Sequence, residues 1–360
     1  MKALILAGHV GTRPRPHGHA VPVANRPVLS YGLESIRKAG VCETAIVVSA
    51  GSGAAVRKHV GTGAAFGLDV TYLQQDDAGF SSGPASGLGG CVLVARDYLG
   101  DDDFLVLRAD DVVLDDLPGL VAEFARRGRP DAMAMVGDVT RGGERPIAVV
   151  DGHDRVTGVT RGPGHPSSGR ALIGPYVFGP AVHQAVLSAR PDWRGARELS
   201  GAVSWLITHG GTVLAHSAQG YWNTAGCVDD VLDCNREVLS RLDPLVLGDV
   251  DDDSELLGRV FVDAGASVRG SRVIGPAVVG VGATVTASVI GPHTSLGPDC
   301  EVDSSMVEHS IVLEGASLLG VGPLRNSLIG RNARVVAEPA GARLVLADHS
   351  QVLLPADVMS

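Results

Sequence analysis

Lysine is nearly absent from this chain. Lys2, Lys38 and Lys58 are the only lysines among its 30 basic residues, and none follows position 58. A GC-rich genome produces the same bias toward arginine, but the consequence holds whatever the cause. Positive charge is also short overall, with 30 Lys+Arg against 40 Asp+Glu for a net of −10. That balance argues against nucleic acid or an acidic membrane as partner. No apolar run is long enough to span a bilayer, and the opening residues lack a signal-peptide layout, so the expected location is the cytoplasm. The five cysteines (Cys42, Cys91, Cys227, Cys234 and Cys300) include no C-x-x-C pair. They read as reduced thiols rather than a disulfide frame or a zinc site. A hydrophobic content of 45% beside 19% charged residues excludes a disordered chain, and 360 residues are too many for one ordinary core. Two domains are expected.

What is present first is an alternation. Apolar runs at Ala3–Ala7, Thr44–Ser49, Leu68–Leu73, Phe104–Ala109, Ala132–Val136, Ile147–Val150 and Val177–Phe178 read as buried strands. Helical stretches fall at Leu33–Ala39, Ala54–His59, Gly87–Asp97, Leu120–Arg127, Val182–Ala189 and Leu199–His209. This pattern predicts an α/β domain over residues 1–240, with a mostly parallel sheet covered on both faces. Ligands in such sheets sit outside the carboxyl ends of the strands. The glycine-bearing loop Gly8–Arg13 and Asp110 both stand at strand ends, which predicts one shared crevice.

Residues 241–257 are acidic (LGDVDDDSELLG) and read as a linker with a helical lead-in. From Gly258 a branched aliphatic followed by glycine returns about every sixth residue: Val279-Gly280, Ile290-Gly291, Leu296-Gly297, Ile329-Gly330. That period predicts a left-handed parallel β-helix over 258–338, ahead of a tail at 339–360. Such a prism covers a flank or builds an oligomer interface, and a homo-oligomer is expected.

A strand that ends in glycines, a threonine and an arginine brings backbone N–H groups close to a phosphate, although plain turn chemistry leaves the same trace. The fuller phrase L-A-G-x-x-G-T-R-x-R-P, followed by V-P-V-A-N-R-P-V-L, resembles the opening of the sugar-1-phosphate nucleotidyltransferases. The similarity is greatest to the long-form glucose-1-phosphate thymidylyltransferase type of actinobacteria. EHSIVLEGASLLGVG and SLIGRNARV resemble the C-terminal domain of that type. The resemblance implies a Rossmann-like, glycosyltransferase-A-like α/β domain followed by a left-handed β-helix. It also implies an enzyme that joins a sugar phosphate to the α-phosphate of a nucleoside triphosphate and releases pyrophosphate. Both reactants are anions, so two carboxylates holding a metal ion and a set of cationic side chains would carry the reaction.

The resemblance can be followed residue by residue. Gly8, Gly11, Thr12 and Arg13 match the glycine loop, while His9 replaces its second glycine and would crowd close backbone approach. After Pro16 the loop is shortened to His17-Gly18-His19-Ala20 and has lost a lysine. Gln75-Asp76 and Gly87-Leu88 resemble the base-recognising segment. The strand-end G-D-N stands as Ala109-Asp110-Asp111, which keeps Asp110 as the first metal carboxylate. Arg161-Gly162-Pro163 stands for E-K-P, and Glu198-Leu199-Ser200-Gly201 for E-[IL]-T-D. In G-Y-W-K-D-T-G the lysine has become Asn223 and the second metal carboxylate Thr224. Tyr176 and Trp222 join Gly8, His9, Gly11, Thr12, Gly87 and Arg161 as the expected ligand-binding set.

The losses fall on charged groups while the scaffold phrases VPVANRPVL, VARDYLGDDDF, GYW and VLDCNREVL remain. Each lost metal ligand or phosphate-binding lysine is worth several powers of ten in rate, so thymidylyl transfer is not expected. The first reading is a repurposed enzyme of a specialised, natural-product pathway that takes a small-molecule ligand in the former sugar-nucleotide crevice. His17, His19, Asp110, Arg13 and Glu198 are its catalytic candidates, histidine being the usual acid–base group near neutral pH. Each histidine taken alone reads more simply as a solvated loop residue. No cofactor is firmly expected; magnesium is the candidate, with Asp110 as its ligand and the second carboxylate missing. The second reading is a non-catalytic regulatory or scaffolding paralogue, and the third an active glucose-1-phosphate thymidylyltransferase. Three histidines in a rebuilt loop favour the first over the second.

Overall fold

The computed structural model describes residues 1–7, 21–75, 87–138, 145–160, 169–192, 195–336, 345–348 and 350–353. The chain divides into two compact units, Met1–Ala20 with Val28–Asn223 and Val21–Pro27 with Thr224–Ser360. In chain order the strands up to residue 224 begin with β1 (Lys2–Ala7), β2 (Pro22–Val23), β3 (Arg26–Pro27), β4 (Glu43–Val48), β5 (Asp69–Gln74) and β6 (Phe104–Arg108). They continue with β7 (Asp111–Val113), β8 (Ala132–Asp138), β9 (Ile147–Val150), β10 (Val156–Thr160), β11 (Arg170–Phe178), β12 (Val213–Ser217) and β13 (Trp222–Thr224).

The main sheet of the first unit runs β10-β9-β11-β6-β1-β4-β5, with β8 added on β11 and β12 on β8. Strand β1 lies parallel between β4 and β6, with Ile5 in register with Ile46 and Leu107. Strand β11 is antiparallel to β6, β8 and β9. The sheet is therefore mixed, with a parallel half that carries the glycine-loop end of β1 and the Asp110 end of β6.

Both faces are covered, which is why β1, β4 and β6 are continuous apolar runs rather than alternating ones. Leu4, Leu6, Val47 and Val106 pack with the helices Gly87–Val94, Ala181–Ser188 and Leu199–Thr208. Ala3, Ile5, Ile46 and Leu107 face the other way, toward the helices Val28–Lys38, Ala50–Val60 and Leu117–Arg126. Helix Ala50–Val60 starts at a capping box, in which the Ser49 and Ser52 side chains each accept the other residue's backbone N–H.

The second unit stacks parallel strands into three sheets of seven, seven and five, an arrangement consistent with a left-handed β-helix. Ser267 pairs with Thr284 and Thr284 with Glu301, seventeen residues apart each time. One turn thus falls a residue short of three full hexads. Three inward columns fill the prism. Val262, Val279, Leu296, Val312 and Ile329 form one, Val268, Val285, Val302, Leu318 and Val335 the second, and Val273, Ile290, Val307 and Leu324 the third. One corner is a serine ladder, in which Ser254, Ser271 and Ser288 hydroxyls accept the N–H of Ser271, Ser288 and Ser305, each at 3.0 Å.

Residues 241–257, expected as a linker, instead supply the first turn. Leu245–Val246, Asp249–Val250 and Glu255–Leu257 pair in parallel with the next turn. Their acidic side chains are compatible with this because they point outward, where Asp249 meets Arg269 and Glu255 meets Arg272. Past residue 338, Val345–Leu346 and Gln351–Leu353 extend two of the sheets. The helix Val228–Ser240 and the segment Val21–Pro27 dock on the prism through Asn235, which is fully buried. Its Oδ1 accepts the Ala24 N–H at 2.8 Å and the Ser295 hydroxyl at 2.7 Å, while its Nδ2 donates to the His293 carbonyl. Two of the intact sequence phrases, VPVANRPVL and VLDCNREVL, meet at this one amide.

Candidate functional site

The carboxyl end of β6 delivers a charged cluster. Arg108 is the last residue of the strand and Asp110 stands two positions on, a spacing that keeps both side chains on one side of an extended chain. The Arg108 guanidinium donates to Asp110 Oδ2 at 2.6 Å, and the two side chains are 26% and 16% exposed. Asp111 is buried at 2%, and its Oδ2 accepts the Arg108 backbone N–H at 3.4 Å. That carboxylate also presses on Gly174 of β11, where a Cβ would stand 2.8 Å from Asp111 Oδ2 and the backbone φ is +130°. Only glycine leaves the room and adopts the angle. Burial works against the Arg108 charge, yet Asp110, Asp111 and Glu198 together hold its pKa above the usual arginine value.

Glu198 is brought to this cluster by tight packing of its neighbour. Arg197 donates to the Val186, Leu187 and Ala189 carbonyls at 2.8, 2.8 and 3.0 Å. The guanidinium thereby closes the carbonyl end of helix Ala181–Ser188. The Arg197 carbonyl accepts the Gly89 N–H at 2.7 Å, and a Cβ on Gly87 would lie 2.5 Å from the same oxygen. Gly87, at φ +76°, is therefore a close-approach glycine that locks the Glu198 segment onto helix Gly87–Val94. In that helix Cys91 donates its thiol to Gln75 Oε1 at 3.1 Å. Burial pushes the thiol up to about 12, with the Glu198 charge adding to the shift, so Cys91 is a structural thiol rather than a nucleophile.

A second side of the unit positions Trp222. Asp116 is buried, and its two oxygens accept the Gln219 and Gly220 N–H groups at 2.9 and 2.8 Å. Leu114 then donates its N–H to the Tyr221 carbonyl at 2.9 Å. Trp222 lies against Gly137, where a Cβ would come within 2.7 Å of the indole, and the Arg145 guanidinium stands 5.2 Å from the ring centroid. Tyr176, expected to bind ligand, is 6% exposed and stacks on Phe178 with centroids 5.2 Å apart, so its ring serves the core.

Of the residues singled out by sequence, Asp110 and Glu198 thus act on one charge, that of Arg108, while Trp222 is held by a separate clamp. Gly8, His9, Gly11, Thr12, Arg13, His17, His19 and Arg161 lie outside the described residues. Arg108 itself escapes the motif reading, because no resembled pattern includes it. The available signal is an arginine closing the apolar run FLVL, two residues before a carboxylate. Among the described residues no group of three or more His, Cys, Asp or Glu side chains is placed to hold a metal ion. With Asp110 held by Arg108 and Asp111 turned into the protein, the two carboxylates at the end of β6 do not fit the open metal ligands that the resemblance implies.

Comparison with known proteins agrees with this geometry at the level of fold and family. The nucleotidyl transferase family model matches residues 2–241. A glucose-1-phosphate thymidylyltransferase of Streptomyces griseus is 46% identical over 98% of this chain and 99% of its own length. One from Streptomyces antibioticus is 42% identical with the same coverage. Among solved structures, a UDP-glucose pyrophosphorylase complexed with UDP-glucose superposes with a TM-score of 0.57 at 16% identity, over 67% of this chain and 98% of that one. At that identity the likeness concerns the fold alone. No described helix is long and apolar enough to cross a membrane. The chain belongs to the nucleotidyl transferase family.

Proposed function

We propose that this chain is an enzyme of a specialised biosynthetic pathway that has given up thymidylyl transfer and uses the family's sugar-nucleotide crevice on another small molecule. The observation that carries the proposal is the partly buried Arg108–Asp110 ion pair at the end of β6, with Asp111 buried beside it. A subunit retained only for its surface has no use for a partly buried charged cluster at that place, and such clusters mark working sites. Against the parent reaction stand the missing lysines, Asn223 and Thr224. Proton transfer is assigned to His17, His19, Asp110 and Glu198, and anion contact to Arg13 and Arg161. Gly8, His9, Gly11, Thr12, Gly87 and Trp222 shape the ligand site. The protein works in the cytoplasm as a homo-oligomer.

A second reading, glucose-1-phosphate thymidylyl transfer, is favoured by the 46% identity to the Streptomyces griseus enzyme along the whole chain. It would need Arg13 and Arg161 to take over from lysines. The first reading is tested in a producing host by His17→Ala, His19→Ala and Asp110→Ala. At least one should abolish the pathway's product while the protein stays folded, since losing a general acid or base costs about 100- to 10,000-fold. Three fully active variants would leave the crevice idle and move the function to the protein's surface.

A further inference from the structure

We infer that Arg108 is the resident cation of the crevice, holding Asp110 where a divalent ion would bind and so excluding that ion. The inference rests on the crevice reading above. It starts from three features. The guanidinium contacts Asp110 Oδ2 at 2.6 Å, a charge-assisted hydrogen bond of the strong kind. The pair is partly buried, so water screens it less than a surface pair. The neighbouring carboxylate, Asp111, is also turned into the protein, against the Arg108 backbone and Gly174. A divalent ion approaching Asp110 would have to break the ion pair and then share the carboxylate's surroundings with a guanidinium that does not deprotonate. A metal supplies movable charge that binds with the substrate. Arg108 supplies one fixed positive charge that is always present. Among the described residues, the side-chain hydrogen bond to Asp110 uses one of five N–H donors, which leaves donors for a ligand's oxygen atoms.

The test is a Mn2+ titration of the full chain, followed by the electron paramagnetic resonance signal of free Mn2+. Wild type should take up no stoichiometric Mn2+ below about 1 mM, the weak end of specific binding. Arg108→Leu should gain a site at least about tenfold tighter, and Arg108→Leu with Asp110→Asn should lose it again. Arg108→Lys, which keeps a charge with less change of shape, should stay metal-free. Circular dichroism checks that each variant is folded, and Arg108→Gln replaces Arg108→Leu if the latter is not. A wild-type site that Asp110→Asn removes would overturn the inference. So would a folded Arg108→Leu or Arg108→Gln that binds no Mn2+. Neither outcome depends on turnover, so pyrophosphate release from dTTP, which would sink the repurposed reading, is scored independently.

Discussion

Replacing Asp116 by alanine tests how the Trp222 segment is held. The carboxylate is 5% exposed and is the acceptor for two consecutive backbone N–H groups, those of Gln219 and Gly220. The turn has little room to find other partners. A Cβ on Gly220 would already lie 2.5 Å from the Leu114 carbonyl and 2.9 Å from Asp116 Oδ2. Gln219 and Gly220 are themselves exposed, so Asp116→Ala removes two hydrogen bonds that water can partly replace, each worth about 0.5–1.5 kcal/mol. The combined loss is about 1–3 kcal/mol, which lowers the melting temperature of a domain of this size by about 2–12 °C. Asp116→Asn keeps one acceptor oxygen and should lose about half as much. Thermal melts followed by circular dichroism give the magnitude. Tryptophan emission, read with Trp193→Phe and Trp205→Phe in the background because the chain has three tryptophans, reports whether Trp222, two residues beyond Gly220, has left its seat on Gly137. An Asp116→Ala variant that melts within about 2 °C of wild type, with unchanged emission, would refute the clamp.

Burial lowers the pKa of His183, and burial together with His309 and Arg236 lowers that of His293. The unfolded chain therefore takes up protons that the folded chain refuses. Stability should be fully present above about pH 6.5, the unfolded value, and should fall as the pH drops below it. His183→Gln should flatten melting temperature against pH between about 7.5 and 5.5, and an unchanged slope would contradict the assignment. In the β-helix, Leu296→Ala empties a fully buried position and should cost about 2–5 kcal/mol in urea unfolding. Leu245→Ala, at a position 47% exposed, should stay within about 0.5 kcal/mol. Equal effects from the two would mean the inward columns do not carry the prism.

The central strands of the first unit's sheet are legible in the sequence because burial on both faces leaves unbroken apolar runs. Ala3–Ala7 and Phe104–Ala109 are recognisable for that reason, and their observed bounds are Lys2–Ala7 and Phe104–Arg108. Val156–Thr160 and Val213–Ser217 are not, since Gly158 and the polar His216 and Ser217 interrupt the pattern. His216 is nevertheless buried, with Nδ1 2.6 Å from a Glu123 oxygen. The β-helix shows through its glycine-punctuated hexads in the columns that contain Val279 and Val285. Its first turn hides behind acidic residues that face outward and need no apolar period. At the site, motif comparison points to Asp110 and Glu198 because the resembled patterns contain them. It passes over Arg108, whose role depends on a spatial neighbour, Glu198, ninety residues away in the chain.

We propose that the chain keeps the family's fold but not its thymidylyl transfer. Pyrophosphate release from dTTP and glucose 1-phosphate with magnesium, measured on the purified full chain, tests it most directly. No release above background is expected, and none from Thr224→Asp alone, because the restored carboxylate would still lack the lysines. A wild-type turnover number in the ordinary enzyme range of about 1–1000 per second would contradict it.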